Sequence, residues 1–117
     1  MANEIRTSAG LTYNKNGVTE TINNQVNINV TGNGFIKRTI GLTTVDATLD
    51  LGNITTPGVC YFQNLDSTNT IQIGGDGTDY PVQLLPGEDG RFRFNAAAIH
   101  AKAVAGTPLL HYVVIDT

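Results

Sequence analysis

The chain of 117 residues has one cysteine, one methionine and no tryptophan. A lone Cys60 excludes an internal disulfide and any thiolate metal cluster, since each needs further sulfurs. No apolar run approaches the ~18 residues that cross a bilayer as a helix. The opening Met1-Ala2-Asn3-Glu4-Ile5 lacks the basic and apolar regions of a signal peptide, which predicts synthesis and folding in the cytoplasm. On that expectation the sequons at Asn29 and Asn53 carry no glycan, because N-glycosylation follows secretion. No basic cluster interleaved with aromatics is present, so nucleic-acid binding is not supported.

Charge is scarce too. Charged residues make up 15% of the chain, against ~25% in a typical soluble domain. Thr, Asn and Gly stand in their place, a composition that suits strands and turns better than exposed helices. Part of so weakly charged a surface is expected to be covered in an assembly. The charges are also segregated. Asp46, Asp50, Asp66, Asp76, Asp79, Glu88 and Asp89 follow one another with no Lys or Arg between them, while Lys37-Arg38 and Arg91/Arg93 lie in the flanks. Two readings are open: complementary faces that meet between subunits, or acids seated in turns, where Asp is favoured.

What the chain does have is period-2 patterning. Ile5, Thr7, Ala9, Leu11 and Tyr13 alternate, and Asn16-Gly17 supplies a reversal because both residues tolerate positive φ. Val18, Ile22, Val26, Ile28 and Val30 then occupy even positions. Thr19, Thr21, Asn23, Gln25, Asn27 and Asn29 fill the odd ones. Such alternation predicts one face on a core and one facing water or a partner. The polar face is uncharged and does little to discourage edge pairing, so residues 1–31 are expected to form an arm or edge hairpin that joins a neighbour.

Further strands are expected over residues 35–40 and 45–51. Around the chain's centre, 59–63, the turn 64–69 and 70–73 read as a β-hairpin, with Cys60 packed in the core. Residues 80–85, 91–94, 99–104 and 109–115 follow, with a single helical turn a weak option at 95–98. The last of these is near-continuously apolar and reads as a central strand. About nine short strands, with turn signals every ~8–12 residues and no substantial helix, predict a single-domain antiparallel β-sandwich over 1–117, jelly-roll or Ig-like.

Candidate chemistry is sparse. Gly74-Gly75-Asp76-Gly77-Thr78-Asp79 matches the start of the β-roll calcium nonapeptide, where glycines free carbonyls and Asp gives a hard oxygen. Only one copy exists, and Pro81 stands where a large aliphatic belongs, so a plain β-turn is favoured. Asp66 could serve a metal or sugar, yet Asp in such turns more commonly bonds its own backbone. His100 falls opposite Ile99, Ala101 and Ala103, on the face of Lys102, and His111 sits among Leu110, Tyr112 and Val113. Both are read as structural. Ser8 and Ser67 lie outside any nucleophile-elbow context, and nothing near Cys60 would lower its pKa. The residues therefore supply no catalytic, cofactor or metal site, and the expected class is not an enzyme.

A longer pattern lies in the C-terminal two-thirds. Leu49-Asp50-Leu51-Gly52, Thr56-Pro57-Gly58, Asn64-Leu65-Asp66-Ser67-Thr68-Asn69 and Ile71-Gln72-Ile73-Gly74 come in that order. Leu84-Leu85-Pro86-Gly87-Glu88, Ala101-Lys102-Ala103 and Leu110-His111-Tyr112 complete it. Over about residues 45–116 the chain resembles a class of small structural proteins of tailed-bacteriophage virions. The resemblance implies a protein made in the host cytoplasm and built into the virion in many copies, with no active-site residue to carry over. The leading expectation is a capsid decoration (cement) protein, a homo-oligomer for which a trimer at threefold sites is one arrangement, bound to the major capsid protein or another virion protein. Its alternatives are a carbohydrate- or receptor-binding module of a tail and a head–tail connector component.

Overall fold

The computed structural model of the chain describes residues 5–30, 32 and 34–116, so residues 1–4 and 31 of the arm, with Asn33 and Thr117, lie outside the described part. The chain divides after residue 31 into two units. The first is a two-stranded antiparallel ribbon, β1 (Ile5–Lys15) and β2 (Val18–Ile28). Asn16 and Gly17 join them with φ of 53° and 79°, the two positive values that a type I′ turn requires and that match the right-handed twist of the strands. The register then runs unbroken from Lys15↔Val18 to Ile5↔Ile28.

The second unit holds eight strands: β3 (Phe35–Gly41), β4 (Ala47–Thr48), β5 (Val59–Asn64), β6 (Ile71–Gly74), β7 (Val82–Leu84), β8 (Asp89–Arg93), β9 (His100–Ala103) and β10 (Leu109–Ile115). They form two four-stranded sheets in the orders β3-β10-β5-β8 and β4-β9-β6-β7. All of the pairings are antiparallel. These are the strand orders of a jelly roll, which decides between the two sandwich topologies the sequence left open.

Period 2 builds the core. Cys60, Phe62, Leu110, Tyr112 and Val114 point inward from the first sheet, and Ile71, Ile73, Leu84, Ala101 and Ala103 from the second. Phe62 stacks on Phe92 at 5.5 Å and meets Phe94 edge-on at 6.3 Å, so both aromatics of the Arg-Phe-Arg-Phe run serve the interior. Tyr112 is fully buried, and its hydroxyl escapes the desolvation penalty by donating to the Asp50 carbonyl at 2.8 Å. Its strand, β10, lies between β3 and β5, the central position its apolar run predicts.

Two expectations need correction. The central stretch is no hairpin: β5 pairs with β10 and β8, whereas β6 pairs with β9 and β7, so 65–70 carries the chain from one sheet to the other. A turn of six residues with Asp and Asn reads alike in either role, and only the partner strands distinguish them. The strand expected over 45–51 shrinks to Ala47–Thr48, because Leu49 and Leu51 reach the core from irregular chain. Residues 96–98 form a bend in place of the helical turn offered as an option, and ten strands among the described residues agree with the expected count of about nine.

Candidate functional site

The ribbon gathers its large apolar side chains on one face. Cross-strand partners share a face, so Ile5, Thr7, Ala9, Leu11, Tyr13 and Lys15 lie with Ile28, Val26, Asn24, Ile22, Glu20 and Val18. The opposite face carries Arg6, Ser8, Gly10, Thr12, Asn14, Thr19, Thr21, Asn23, Gln25 and Asn27, where Arg6 is the one charge. The apolar face was expected on a core. Instead, Leu11, Tyr13, Val18 and Ile22 are between 51% and 62% exposed, and Val26 is 36% exposed. Large apolar side chains aligned on one exposed face mark an interaction surface, whereas scattered ones need no explanation.

A second feature lies on the outer face of the β4-β9-β6-β7 sheet. His100 and Lys102 point outward between the buried Ile99, Ala101 and Ala103, as the alternation predicts. The His100 Nδ1 donates to Asp46 Oδ2 at 2.9 Å, and Thr48 Oγ1 stands 3.5 Å from the same nitrogen. Tyr80 donates its hydroxyl to Asp46 Oδ1 at 2.5 Å, and the Gly77 carbonyl lies 3.1 Å from it. Lys102 Nζ sits 4.7 Å from the Tyr80 ring centroid, a cation–π distance. The Tyr80 and His100 hydrogen bonds hold the Asp46 carboxyl below its ordinary value. That same carboxylate, with burial second, pushes the Tyr80 phenol up to about 12. Each group thus holds another in place. The arrangement fixes the loop between β6 and β7, and a Cβ at Gly74 would come within 2.0 Å of the Asp79 carbonyl, so glycine is required there.

The calcium-like loop itself is closed by its own backbone. Asp76 Oδ1 accepts from the Thr78 amide at 2.9 Å, the Thr78 hydroxyl at 3.0 Å and the Asp79 amide at 2.8 Å. Asp66 repeats the device: its Oδ2 accepts from the Thr68 amide and hydroxyl at 3.0 and 3.1 Å and from the Asn69 amide at 2.6 Å. In both, the backbone amides hold the carboxyl below its ordinary value. Among the described residues no three His, Cys, Asp or Glu stand close enough together to hold a metal ion. Among the other central acids, Glu88 accepts from the Leu85 amide, and Asp50 accepts from the Gly52 amide through Oδ1 while its Oδ2 pairs with Arg38 at 2.9 Å. The self-bonded loops at Asp66 and Asp76 are turn chemistry, whereas Asp46, Asp50 and Asp89 also bond side chains distant in sequence.

His111 lies on the outer face of the other sheet, sharing a 3.0 Å hydrogen bond with Thr39 and meeting the Tyr61 ring at 6.4 Å and 69°. Tyr61 donates to Asp89 at 2.9 Å, and burial, with that acid second, raises its phenol pKa. The two histidines therefore decorate different sheets. Cys60 is fully buried, with Sγ 3.4 Å from the Gly58 carbonyl, and burial pushes its thiol up to about 12.

The residue that sequence reasoning missed is Asn64. It is the single fully buried polar side chain among the described residues. Its Nδ2 donates to the Asn69 carbonyl at 2.8 Å and the Leu84 carbonyl at 3.0 Å, and its Oδ1 accepts from the Asp66 amide at 2.9 Å. Asn64 thereby pins the passage between sheets. Its sequence signal, Asn ending an apolar run, is shared by any turn. Compared with protein-family models, curated proteins and solved structures, the chain matches none.

Proposed function

We propose that this protein is a structural component of a bacteriophage particle, a homo-oligomeric capsid decoration protein that stabilises the shell in many copies. The observation that carries the reading is the pairing of two kinds of surface. The jelly roll spends its turn acids Asp66 and Asp76 on its own backbone and buries its one thiol. The ribbon presents an apolar face to be covered. A closed body joined to an adhesive arm suits attachment better than turnover. Jelly rolls recur in viral capsid domains, an analogy of fold that agrees with the resemblance over residues 45–116.

The test is quantitative mass spectrometry of purified particles. Decoration requires a copy number in proportion to the major shell protein. A few copies per particle would reject decoration and move the protein to the neck or tail. A second reading, a receptor- or carbohydrate-binding tail module, draws on the outward Tyr80, His100 and Lys102 cluster. Jelly rolls also serve lectins. Glycan-array binding that Tyr80→Ala abolishes would favour it.

A further inference from the structure

We propose that the tip of the β1–β2 ribbon is a site of spontaneous covalent modification, where Asn16 loses ammonia through a cyclic imide with Gly17 and becomes aspartate or isoaspartate. The inference goes beyond the proposed function and does not depend on it. The chemistry needs a carboxamide followed by a residue whose backbone nitrogen can approach it, and glycine, with no Cβ, permits the closest approach. The chain has two such pairs, Asn16-Gly17 and Asn33-Gly34, and the sequence alone ranks them equally.

The structure separates them. Asn16 and Gly17 are exposed, and among the described residues neither the Asn16 carboxamide nor the Gly17 amide has a hydrogen-bond partner. A Cβ added at Gly17 would meet nothing within 4 Å. At Gly34 the same atom would come within 2.6 Å of the Ile54 side chain and 3.1 Å of that of Asp116, and the Gly34 carbonyl accepts from the Asp116 amide at 2.9 Å. Gly34 is therefore held, whereas Gly17 stands in open space. Ring closure also requires the Asn16 backbone to rotate out of the turn. A two-stranded ribbon is marginal in water by itself, so its tip opens at low cost. The Asp-Gly pairs of the jelly roll offer a weaker electrophile in a tighter frame: Asp76 Oδ1 is bonded to two amides, and Gly90 is paired within β8.

The Gly17 amide nitrogen gives its proton to solvent base and attacks Asn16 Cγ. The new C–N bond closes a five-membered imide as the side-chain amide departs as ammonia. One water then opens the imide. Opening at Cγ leaves aspartate in an unchanged backbone, and opening at the main-chain carbonyl leaves isoaspartate, with Gly17 now joined through Cγ. Either product adds one negative charge at neutral pH, since such a carboxyl titrates near ~3.9. Isoaspartate also adds a backbone atom to a two-residue turn whose length fixes the register. The Lys15↔Val18 closing pair is then lost, and the ribbon frays from its tip. The arm thus carries a one-way chemical clock.

The test is peptide mapping by mass spectrometry of the full chain, aged at mildly alkaline pH in native buffer and in urea. In native buffer the peptide holding Asn16 is expected to show the amide-to-acid mass change about tenfold faster than the peptide holding Asn33, because local opening of the tip suffices. In urea the two are expected to convert at similar rates, which ties the difference to the fold. Labelling of aged chain by an isoaspartyl methyltransferase is expected at the Asn16 peptide and is expected to vanish there in Asn16→Gln, whose longer side chain closes its ring far more slowly. Hydrogen exchange of the Lys15 and Val18 amides is expected to rise with the isoaspartate fraction. Equal native rates, faster conversion of Asn33, or an unchanged Asn16 overturns the proposal. So does a difference that persists in urea, since it would then come from sequence alone. Unchanged exchange at Lys15 and Val18 overturns the loss of register. No readout involves a particle, so this inference and the decoration reading fail separately.

Discussion

The ribbon and the jelly roll are written in the same alternating code but use it differently. In β5 the inward residues Cys60 and Phe62 are fully buried between two sheets, whereas in β1 and β2 Leu11 and Ile22 are exposed. Alternation states that a strand has an apolar face, and says nothing about what covers it. Coverage depends on strands far away in sequence. In the jelly roll those strands belong to the same unit, and in the ribbon the apolar face stays open.

The sharpest way to break this comparison is truncation on both sides of it. Phe62→Ala removes a fully buried ring that contacts Phe92 and Phe94, and is expected to cost about 3–5 kcal/mol in urea-induced unfolding of the jelly roll. Leu11→Ala, with the side chain 62% exposed, is expected to change that same transition by less than about 0.5 kcal/mol. Comparable losses would mean that the ribbon face is a core after all.

A smaller effect tests how the sheets are joined. Asn64→Leu keeps the volume roughly but strands the Leu84 carbonyl in the interior and takes the partner from the partly buried Asn69 carbonyl and Asp66 amide. Each lost buried partner costs about 1–3 kcal/mol, and relaxation of the loop toward water recovers part of it, so about 3 kcal/mol is expected. Asn69→Ala, whose backbone carbonyl remains, should cost much less. If Asn64→Leu were neutral in thermal melts, the passage would be held by packing alone.

These two residues also mark how far the sequence is legible. The apolar strand of Phe62 and the central place of β10 follow from composition and period. So do the self-bonded turns at Asp66 and Asp76 and the outward face of His100, because all are local physics. The crossing between sheets is not local: residues 64–69 would serve equally well as a hairpin turn. Asn64 looks like any turn asparagine until Leu84, twenty residues later, supplies its acceptor. The Asp46–His100 bond spans fifty-four residues, and no spacing announces it. Exposure of the ribbon face is hidden for the same reason, since the pattern contains the face but not its cover.

The turn acids predict a pH effect confined to the jelly roll. Amides of Thr68 and Asn69 lower the Asp66 pKa, amides of Thr78 and Asp79 lower that of Asp76, and the Tyr80 and His100 contacts lower that of Asp46. A folded pKa below the unfolded value gives stability that is fully present above the ordinary carboxylate pKa of ~3.9 and is lost as pH falls through the lowered folded value. Wild type is therefore expected to lose melting temperature on acidification, and Asp66→Asn to lose less. The two curves should converge once both carboxyl states are protonated. Parallel curves would mean the charge on Asp66 contributes nothing.

The smallest expected signal is the native reactivity of Cys60. Its thiol is fully enclosed and pushed up to about 12 by burial, and the thiolate is the reactive form. At pH 8 a thiol reagent should modify wild type only at the rate at which the jelly roll opens, and should react at once in denaturant. Ile22→Cys, on the ribbon face, places a second thiol on the exposed side of the comparison. It should label fast in any monomeric fraction and slowly wherever copies associate through the homo-oligomer proposed above, so that labelling slows as protein concentration rises. Cys60 should show no such dependence on concentration, because what covers it belongs to its own chain. Equal concentration dependence at both sites would erase the distinction between a core that the chain closes itself and a face that it leaves exposed.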